Sequence, residues 1–415
     1  MAGDLDVVVI GAGAAGLAAG RAAEAAGLAF RVIEAKSRTG GRAYTDYDCF
    51  GVPFDHGCHW LHSASINPFT ALAERYGFTY RRGKGTRKLH DGADWLYGER
   101  LDQAGAFIDE AYEAVHAAGA AGRDVAAADA IDGASPFARL FHRSYTSYMA
   151  GEPERVSTFD SARYRDTGEN WPVLEGFGAL IVRHGAAVPV TLDCAATAID
   201  WSGPLLRIAT VRGTLTARTV ILTPSTDLLG QLRFTPDLPG WKRDAIAALP
   251  MGAANKIAFA FAGAPFGEGG PYFTMLDRAD GSGAVVLVDP AIQPFATLFV
   301  GGVEADEMER AGAAAMLAYG RDSLATLFGS ALLKQITAGC ATLWRSDPDI
   351  AGAYAVARPG QGEARAALIR PIADRLFFAG EAASLDSFAT AHGAHLSGIA
   401  AVEAVVAARS RTGVA

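Results

Sequence analysis

Cysteine is scarce: the 415-residue chain has four, Cys49, Cys58, Cys194 and Cys340, and no two form a CxxC pair. That spacing suggests neither a zinc cluster nor the disulfide framework of a small secreted protein, and a reducing compartment is the default. A basic excess is also lacking. With 37 Lys and Arg against 45 Asp and Glu, the net charge of −8 argues against a polyanion as main partner and mildly suits a cationic ligand. No eighteen consecutive apolar residues run without a charge, so no transmembrane helix is expected. The apolar segment near the N-terminus lacks the positive flank of a secretory signal, since Asp4 and Asp6 precede it and the first basic residue is Arg21. No repeat or low-complexity tract stands out beyond a bias to alanine. What remains is a long chain, half hydrophobic, sufficient for two or three cored units.

The chain opens in a strand, a glycine turn, a helix and a strand: Val7–Ile10, the turn after it, Ala14–Ala26 and Leu28–Glu34. This is the first half of a doubly wound α/β domain. From about Asn67 to Arg183 the pattern is helical, including Ala104–Ala118 and Phe137–Met149, and reads as a helical insertion. Val188–Ile221 then reads as a β-meander with a return strand. After Pro250 the runs NKIAFAF, AVVLV and ATLFVGG predict strands of another sheet, with a helix at about Asp306–Leu327. The chain closes with the strand DRLFFAGE and a long helix from near His392. The expected division is a discontinuous nucleotide-binding domain from residues 1–66, 186–240 and 340–415, and an α+β substrate domain from 67–185 and 241–339.

Gly11, Gly13 and Gly16 fit GxGxxG, in which the first glycine makes the turn, the second admits a pyrophosphate and the third lets the helix pack on the strand. Helix N-terminal amides, with Ala15 in the first turn, supply the anion site. Glu34, followed by Ala35, ends the second strand eighteen residues after Gly16, where a carboxylate can accept ribose hydroxyls. Segments further along the chain favour FAD over NAD. Arg38-Thr39-Gly40-Gly41-Arg42 gives a second close backbone approach, with a cation at its end, for a cofactor running past the first loop. A buried strand ends in Gly380 and Glu381, suited to a ribityl chain, and Ala391 opens the last helix, whose dipole can stabilise negative charge on a reduced flavin.

These residues carry a resemblance. VVVIGAGAAGLAAG, RTGGRAYT, FDHGCHWLH, NKIAFAF and LFFAGEAASLDSFATAHGAHLSG resemble, in order and over the whole length, the flavin-containing amine oxidases of the monoamine and polyamine oxidase superfamily. GCHWLHSASINPFTALAERYGF is more similar to the polyamine branch. Protoporphyrinogen oxidases and carotenoid desaturases share the first two motifs, and the HGAxLSG ending favours amine oxidases over them. The resemblance implies a Rossmann-like, two-dinucleotide-binding domain, with Glu34 on the adenosine ribose, Arg42 near the pyrophosphate and Glu381 on the ribityl or phosphate segment. Lys256 resembles the lysine that holds a water against flavin N5; a lysine at a strand start facing solvent is the other reading. Trp344, before a Ser-Asp-Pro turn, and Tyr354 resemble the segment that packs on the isoalloxazine. No cysteine follows Cys340, so noncovalent FAD is expected.

The substrate wall is less determined. Tyr354 supplies one side of an aromatic cage, and His395 stands where monoamine oxidases have the opposing tyrosine, either as a polar wall or as a helix histidine with its own partners. His59 and His62 flank Trp60 in a neighbourhood the polyamine branch uses for substrate, or serve as structural histidines. Trp171 either lines the pocket or fills the core. The activity implied is oxidation of an amine, polyamine-like or another primary or secondary amine, at its α-carbon by hydride transfer to flavin N5. The imine then hydrolyses and O2 becomes H2O2. A dehydrogenase or desaturase with a non-oxygen acceptor and a noncatalytic FAD-binding protein are the alternatives. Expected partners are the small-molecule amine and O2, with no nucleic acid, no membrane and a possible homodimer; the expected compartment is the cytoplasm.

Overall fold

The computed structural model describes residues 5–83, 85–267, 271–289 and 295–412. The chain begins with β1 (Leu5–Ile10), α1 (Ala14–Ala25) and β2 (Phe30–Ile33). β1 is apolar without alternation, and Val7, Val8 and Val9 are fully buried, as a parallel strand covered on both faces requires. Next come β3 (Thr45–Asp46), β4 (Phe54–Asp55), β5 (Trp60–His62), α2 (Pro68–Tyr76) and β6 (Thr86–His90). The helical stretch is α3 (Gly98–Ala120), α4 (Ala138–Met149) and α5 (Thr158–Arg163), followed by β7 (Asn170–Pro172) and α6 (Phe177–Gly185). β8 (Val190–Thr191), β9 (Ala196–Asp200), β10 (Leu206–Thr210) and β11 (Gly213–Leu222) lead to α7 (Thr226–Gln231), β12 (Arg233–Thr235) and α8 (Gly240–Ala247). A second set of strands, β13 (Ala254–Phe261), β14 (Tyr272–Asp277), β15 (Gly283–Val288) and β16 (Phe295–Gly301), precedes α9 (Gly302–Ala311) and α10 (Ala313–Phe328). β17 (Ile336–Ala341), α11 (Ala364–Ile369), β18 (Leu376–Phe378) and α12 (Ala391–Thr412) complete the chain.

Two large sheets organise these elements. The first has the order β12-β9-β10-β11-β1-β2-β8, with β18 also on β11. β1 runs parallel to β2 and β11, while β9, β10 and β11 form the antiparallel meander. Successive residues of β1 face opposite layers: Val7 and Val9 pack with Leu17 of α1 and Val405 of α12, and Val8 and Ile10 with Leu249 and Phe378. The second sheet has the order β17-β13-β16-β15-β14-β6 and packs Ile257, Phe259 and Leu298 against Met316 and Leu324 of α10.

Two expectations are corrected. The single helix expected at about Asp306–Leu327 is two helices, parted at Gly312, whose φ of +90° breaks the helical path. β6 lies inside the stretch read as helical, because an edge strand with exposed Thr86, Arg87 and Lys88 carries no apolar alternation. Despite the lack of a charge-free apolar run, α12 has the length and composition of a membrane span. Its face toward α1 is core, however: a Cβ on Gly398 would lie 2.1 Å from the Ala15 carbonyl oxygen, so the two helices touch backbone to backbone.

Candidate active site

A continuous cavity of about 1150 Å³ runs from the ends of β1 and β2 to the inner face of the second sheet. It exceeds the usual range of small-molecule pockets, leaving room for an extended cofactor and a second small molecule. At one end lies the glycine turn. Gly11 has φ +101°, and a Cβ on Gly16 would sit 1.8 Å from the Gly11 carbonyl oxygen, so neither position admits a side chain. Gly13 starts α1 with no side-chain cap and no acidic residue in the first turn, which leaves helix N–H groups free for an anion. The second glycine loop docks on the first: the Gly40 N–H donates to the Ala12 carbonyl at 2.8 Å, and a Cβ on Gly41 would be 3.4 Å from Gly13 Cα. Gly11, Gly13, Ala15, Ala35 and Gly41 line the cavity, whereas Gly16 serves the packing behind it.

Glu34 is buried at the end of β2, where its carboxylate accepts from the Ala12 N–H at 2.6 Å and the Lys36 N–H at 3.0 Å. Each oxygen keeps acceptor capacity for a hydroxyl. Further along, Arg42 donates to Glu381 at 2.9 Å and to the Ala353 carbonyl at 2.5 Å. Glu381 also accepts from the N–H groups of Ala355 at 3.0 Å and Ala389 at 3.2 Å. This ion pair joins the second glycine loop to the two C-terminal segments that carry Tyr354 and Ala391. With the glycine cradle, the free amides and the ribose acceptor, the site fits FAD.

Lys256 enters from β13. Its Nζ donates to the carbonyls of Asp55 at 2.6 Å and Gly57 at 2.7 Å, so two of three ammonium donors are used and one remains for the cavity it lines. Burial brings the amine down to about 8, opposed by Asp55 and Cys58. The solvent-facing reading of this lysine is thereby excluded. Trp344 and Tyr354 line the same space, with the Tyr354 hydroxyl donating to the Tyr148 carbonyl at 3.0 Å.

His59, Trp60 and His62 all border the cavity. His59 Nδ1 pairs with Asp55 at 3.2 Å, and Asp55 in turn accepts the N–H groups of Phe177 and Gly178 at the start of α6. His62 Nδ1 pairs with Asn170 at 2.5 Å; burial lowers its basicity against that hydrogen bond, favouring the neutral ring.

Two expected residues lie elsewhere. Trp171 is absent from the cavity wall and stacks on Tyr80 at 5.3 Å, because β7 pairs with β5 and strand alternation turns Asn170 inward and Trp171 away. His395 is also outside the wall, packed against Phe69 and His184, while Ala391 and Ala394 face the cavity. Thr390, beside the helix start, borders the cavity. Sequence reading also missed Asn170, Tyr148, Tyr164 and Phe273, whose approach depends on tertiary pairing. Cys58 and Cys194 border the cavity as well.

Among the described residues the acidic side chains of the wall are Glu34, Asp349 and Glu381, at the cofactor end beside Lys36, Arg42 and Arg233; the remainder carries His56, His59, His62, Arg81, Arg87 and Lys256 among aromatic rings. Arg81 and Arg87 are paired with Asp289 and Asp109, both at 2.7 Å.

Comparison with known proteins agrees with this geometry. Residues 125–406 match the family described as flavin containing amine oxidoreductase, and residues 9–76 match the NAD(P)-binding Rossmann-like domain. The chain is 28% identical to polyamine oxidase 4 of Oryza sativa subsp. japonica, over 96% of this chain and 88% of that protein. It is 25% identical to human lysine-specific histone demethylase 2, covering 95% of this chain and 52% of that one. Among solved structures, cyclohexylamine oxidase from Brevibacterium oxydans IH-35A superposes with a TM-score of 0.81 at 21% identity, over 99% of this chain and all of that one. A redesigned putrescine oxidase superposes with a TM-score of 0.77 at 19% identity, over 97% of this chain and 99% of that chain. The fold and site define a flavin-dependent oxidoreductase. The chain belongs to the flavin-containing amine oxidoreductase family. It is an FAD-dependent amine oxidase, and noncovalent FAD is typical of the family.

Proposed function

We propose that the protein oxidises a monoamine with an apolar body, with O2 as acceptor and H2O2 as product. One observation carries the substrate class: among the described residues, the cavity wall beyond the cofactor end offers no carboxylate, so a second ammonium group would be desolvated without a counter-charge. The polyamine-like substrate favoured by sequence motifs is therefore set below a monoamine. Trp60, Phe273, Tyr148, Tyr164 and Phe388 supply the wall for an apolar body, with Trp60 to Phe273 at 5.8 Å and Tyr164 to Phe388 at 5.2 Å.

FAD, when bound, supplies the acceptor for the hydride that leaves the amine α-carbon. The protein's part is to hold the amine in line and neutral. A poorly hydrated aromatic wall disfavours the ammonium form, and neutral His62, fixed by Asn170, can exchange a hydrogen bond with the amine without adding charge. Tyr354, tied to the backbone of α4, keeps one side of the approach rigid. Lys256 presents its remaining N–H to the cavity, where a cation stabilises charge developing on oxygen. The imine product hydrolyses in water. Anaerobic mixing with benzylamine, cyclohexylamine, putrescine and spermidine, followed by flavin absorbance, tests the substrate class. Monoamines should bleach the flavin at least about tenfold faster than the diamine and polyamine, the effect of about 1.4 kcal/mol of unpaired charge. Equal or faster bleaching by spermidine overturns the reading, and reduced enzyme that yields no H2O2 in air overturns the acceptor.

A further inference from the structure

Cys49 and Cys340 are 291 residues apart in the chain, yet their Sγ atoms lie 2.7 Å apart. Two more donors converge there: His56 Nε2 is 4.0 Å from Cys340 Sγ and 3.0 Å from Asp46 Oδ2. One ligand atom from each of the four residues falls within 4.8 Å of all the others. The fold produces this meeting. Asp46 ends β3 and pairs with Phe54 of β4, which brings His56 alongside; Cys49 lies in the connection between the two strands. Cys340 comes from β17 of the second sheet, opposite Ala258 of β13. Rings close the surroundings, with Tyr44 at 4.9 Å and Phe54 at 5.2 Å from the His56 ring, and Phe50 stacked on Phe295.

We propose that Asp46, Cys49, His56 and Cys340 bind a zinc-class divalent cation. Two sulfurs, an imidazole and a carboxylate make a complete four-ligand set, the number of a closed structural site, and the sulfur donors select zinc over magnesium or calcium. Two unbonded thiols at 2.7 Å are in repulsive contact. Zn–S bonds of about 2.3 Å at a tetrahedral angle would spread them to roughly 3.8 Å, a shift that side-chain rotation can provide. The ion binds both sulfurs as thiolates, releases the two thiol protons and replaces the hydrogen bond between His56 and Asp46. A disulfide would use the sulfurs alone, require a two-electron oxidant and leave the convergence of His56 and Asp46 without purpose. The cation joins the β3–β4 hairpin to the second sheet. It thereby steadies the residues on either side of His56, Asp55 and Gly57, whose carbonyls hold Lys256.

The test is elemental analysis of the FAD-loaded enzyme produced with added zinc and dialysed against a weak chelator. One zinc per chain is expected, falling below a tenth in Cys340→Ser and in Cys49→Ser. Asp46→Asn preserves shape should a cysteine variant fail to fold, and should weaken retention at least tenfold in chelator competition. Cobalt in place of zinc should give tetrahedral d–d bands to the red of the flavin absorption. Metal-free wild type with full FAD overturns the proposal: an intact mass lower by two hydrogens then assigns a disulfide, and a full thiol count assigns a bare thiol pair. Zinc retained equally by both cysteine variants also overturns it.

Discussion

Replacing Lys256 with methionine removes a cation from the cavity wall while keeping the length of the side chain. Two hydrogen bonds are lost, to Asp55 at 2.6 Å and Gly57 at 2.7 Å. At about 1.5–3 kcal/mol each for a charged donor, the full loss would be roughly 3–6 kcal/mol. Water entering the cavity can satisfy part of the two carbonyls. The net destabilisation is then on the order of 3 kcal/mol, larger than the cost of a volume-conserving swap, under about 1.5 kcal/mol. Chemistry should suffer separately. Loss of a preorganised donor to developing charge costs on the order of 2.7–4 kcal/mol, or about a hundredfold to a thousandfold in rate. Stopped-flow absorbance resolves the two halves, first enzyme with amine under nitrogen, then reduced enzyme with oxygen. The oxygen step should carry most of the loss. In wild type it should also slow as pH rises through about 8, where the ammonium deprotonates, and the methionine variant should lack that dependence. Both half-reactions at wild-type rates, with FAD bound, would refute the argument; a slower amine step alone would make Lys256 a residue that positions the amine.

Three further outcomes are expected. Glu34→Ala should raise the FAD dissociation constant at least about tenfold in titrations of apoprotein, since a ribose hydrogen bond to a carboxylate contributes roughly 1.5–3 kcal/mol; an unchanged constant removes Glu34 from the site. Acid or heat precipitation should leave the yellow colour in the supernatant, whereas colour in the pellet would indicate a covalent link, with Cys58 the first residue to inspect by peptide mapping. Burial, then His184 and Arg21, lowers His395 to about 4 from an ordinary 6.5, so the unfolded chain takes up its proton first and stability is lost as pH falls from 6.5 to 4. The loss from this group approaches about 3 kcal/mol, and His395→Leu should flatten that part of the urea-denaturation profile against pH; an identical acid slope refutes the assignment.

The glycine turn was legible because its constraint is local. Gly11 needs its positive φ and Gly16 its missing Cβ regardless of distant residues, and the β-branched run of β1 announces a buried strand. The phase of α12 was not legible. The helix is apolar on most sides, so periodicity does not say that Ala391 and Ala394 face the cavity, and His395, one residue on, is turned about 100° from Ala394. Between the two readings of Trp171, pocket or core, the sequence could not decide for the strand equivalent of the same reason: β7 has three residues, too few to display an alternation, and only its pairing with β5 turns Asn170 inward and leaves Trp171 packed on the core.

What the site does chemically depends on such long-range placement. Arg42 meets Glu381 across 339 residues, Lys256 meets Asp55 across 201, and Cys49 meets Cys340 across 291. Each pair joins segments of the chain that pattern reading treats separately, so composition showed four scattered cysteines and an ordinary number of charges. Contacts of this kind also tie the cavity to the integrity of the whole chain. A ligand bound across them stabilises the folded state by mass action, so FAD should raise the melting temperature of wild type in proportion to the logarithm of its concentration. If Arg42 and Glu381 hold the cofactor-bearing segments together, Arg42→Ala should lower the melting temperature even without FAD, because the buried Glu381 carboxylate loses its counter-charge. A variant that melts like wild type as apoprotein, and differs only when FAD is added, would assign Arg42 to the cofactor alone.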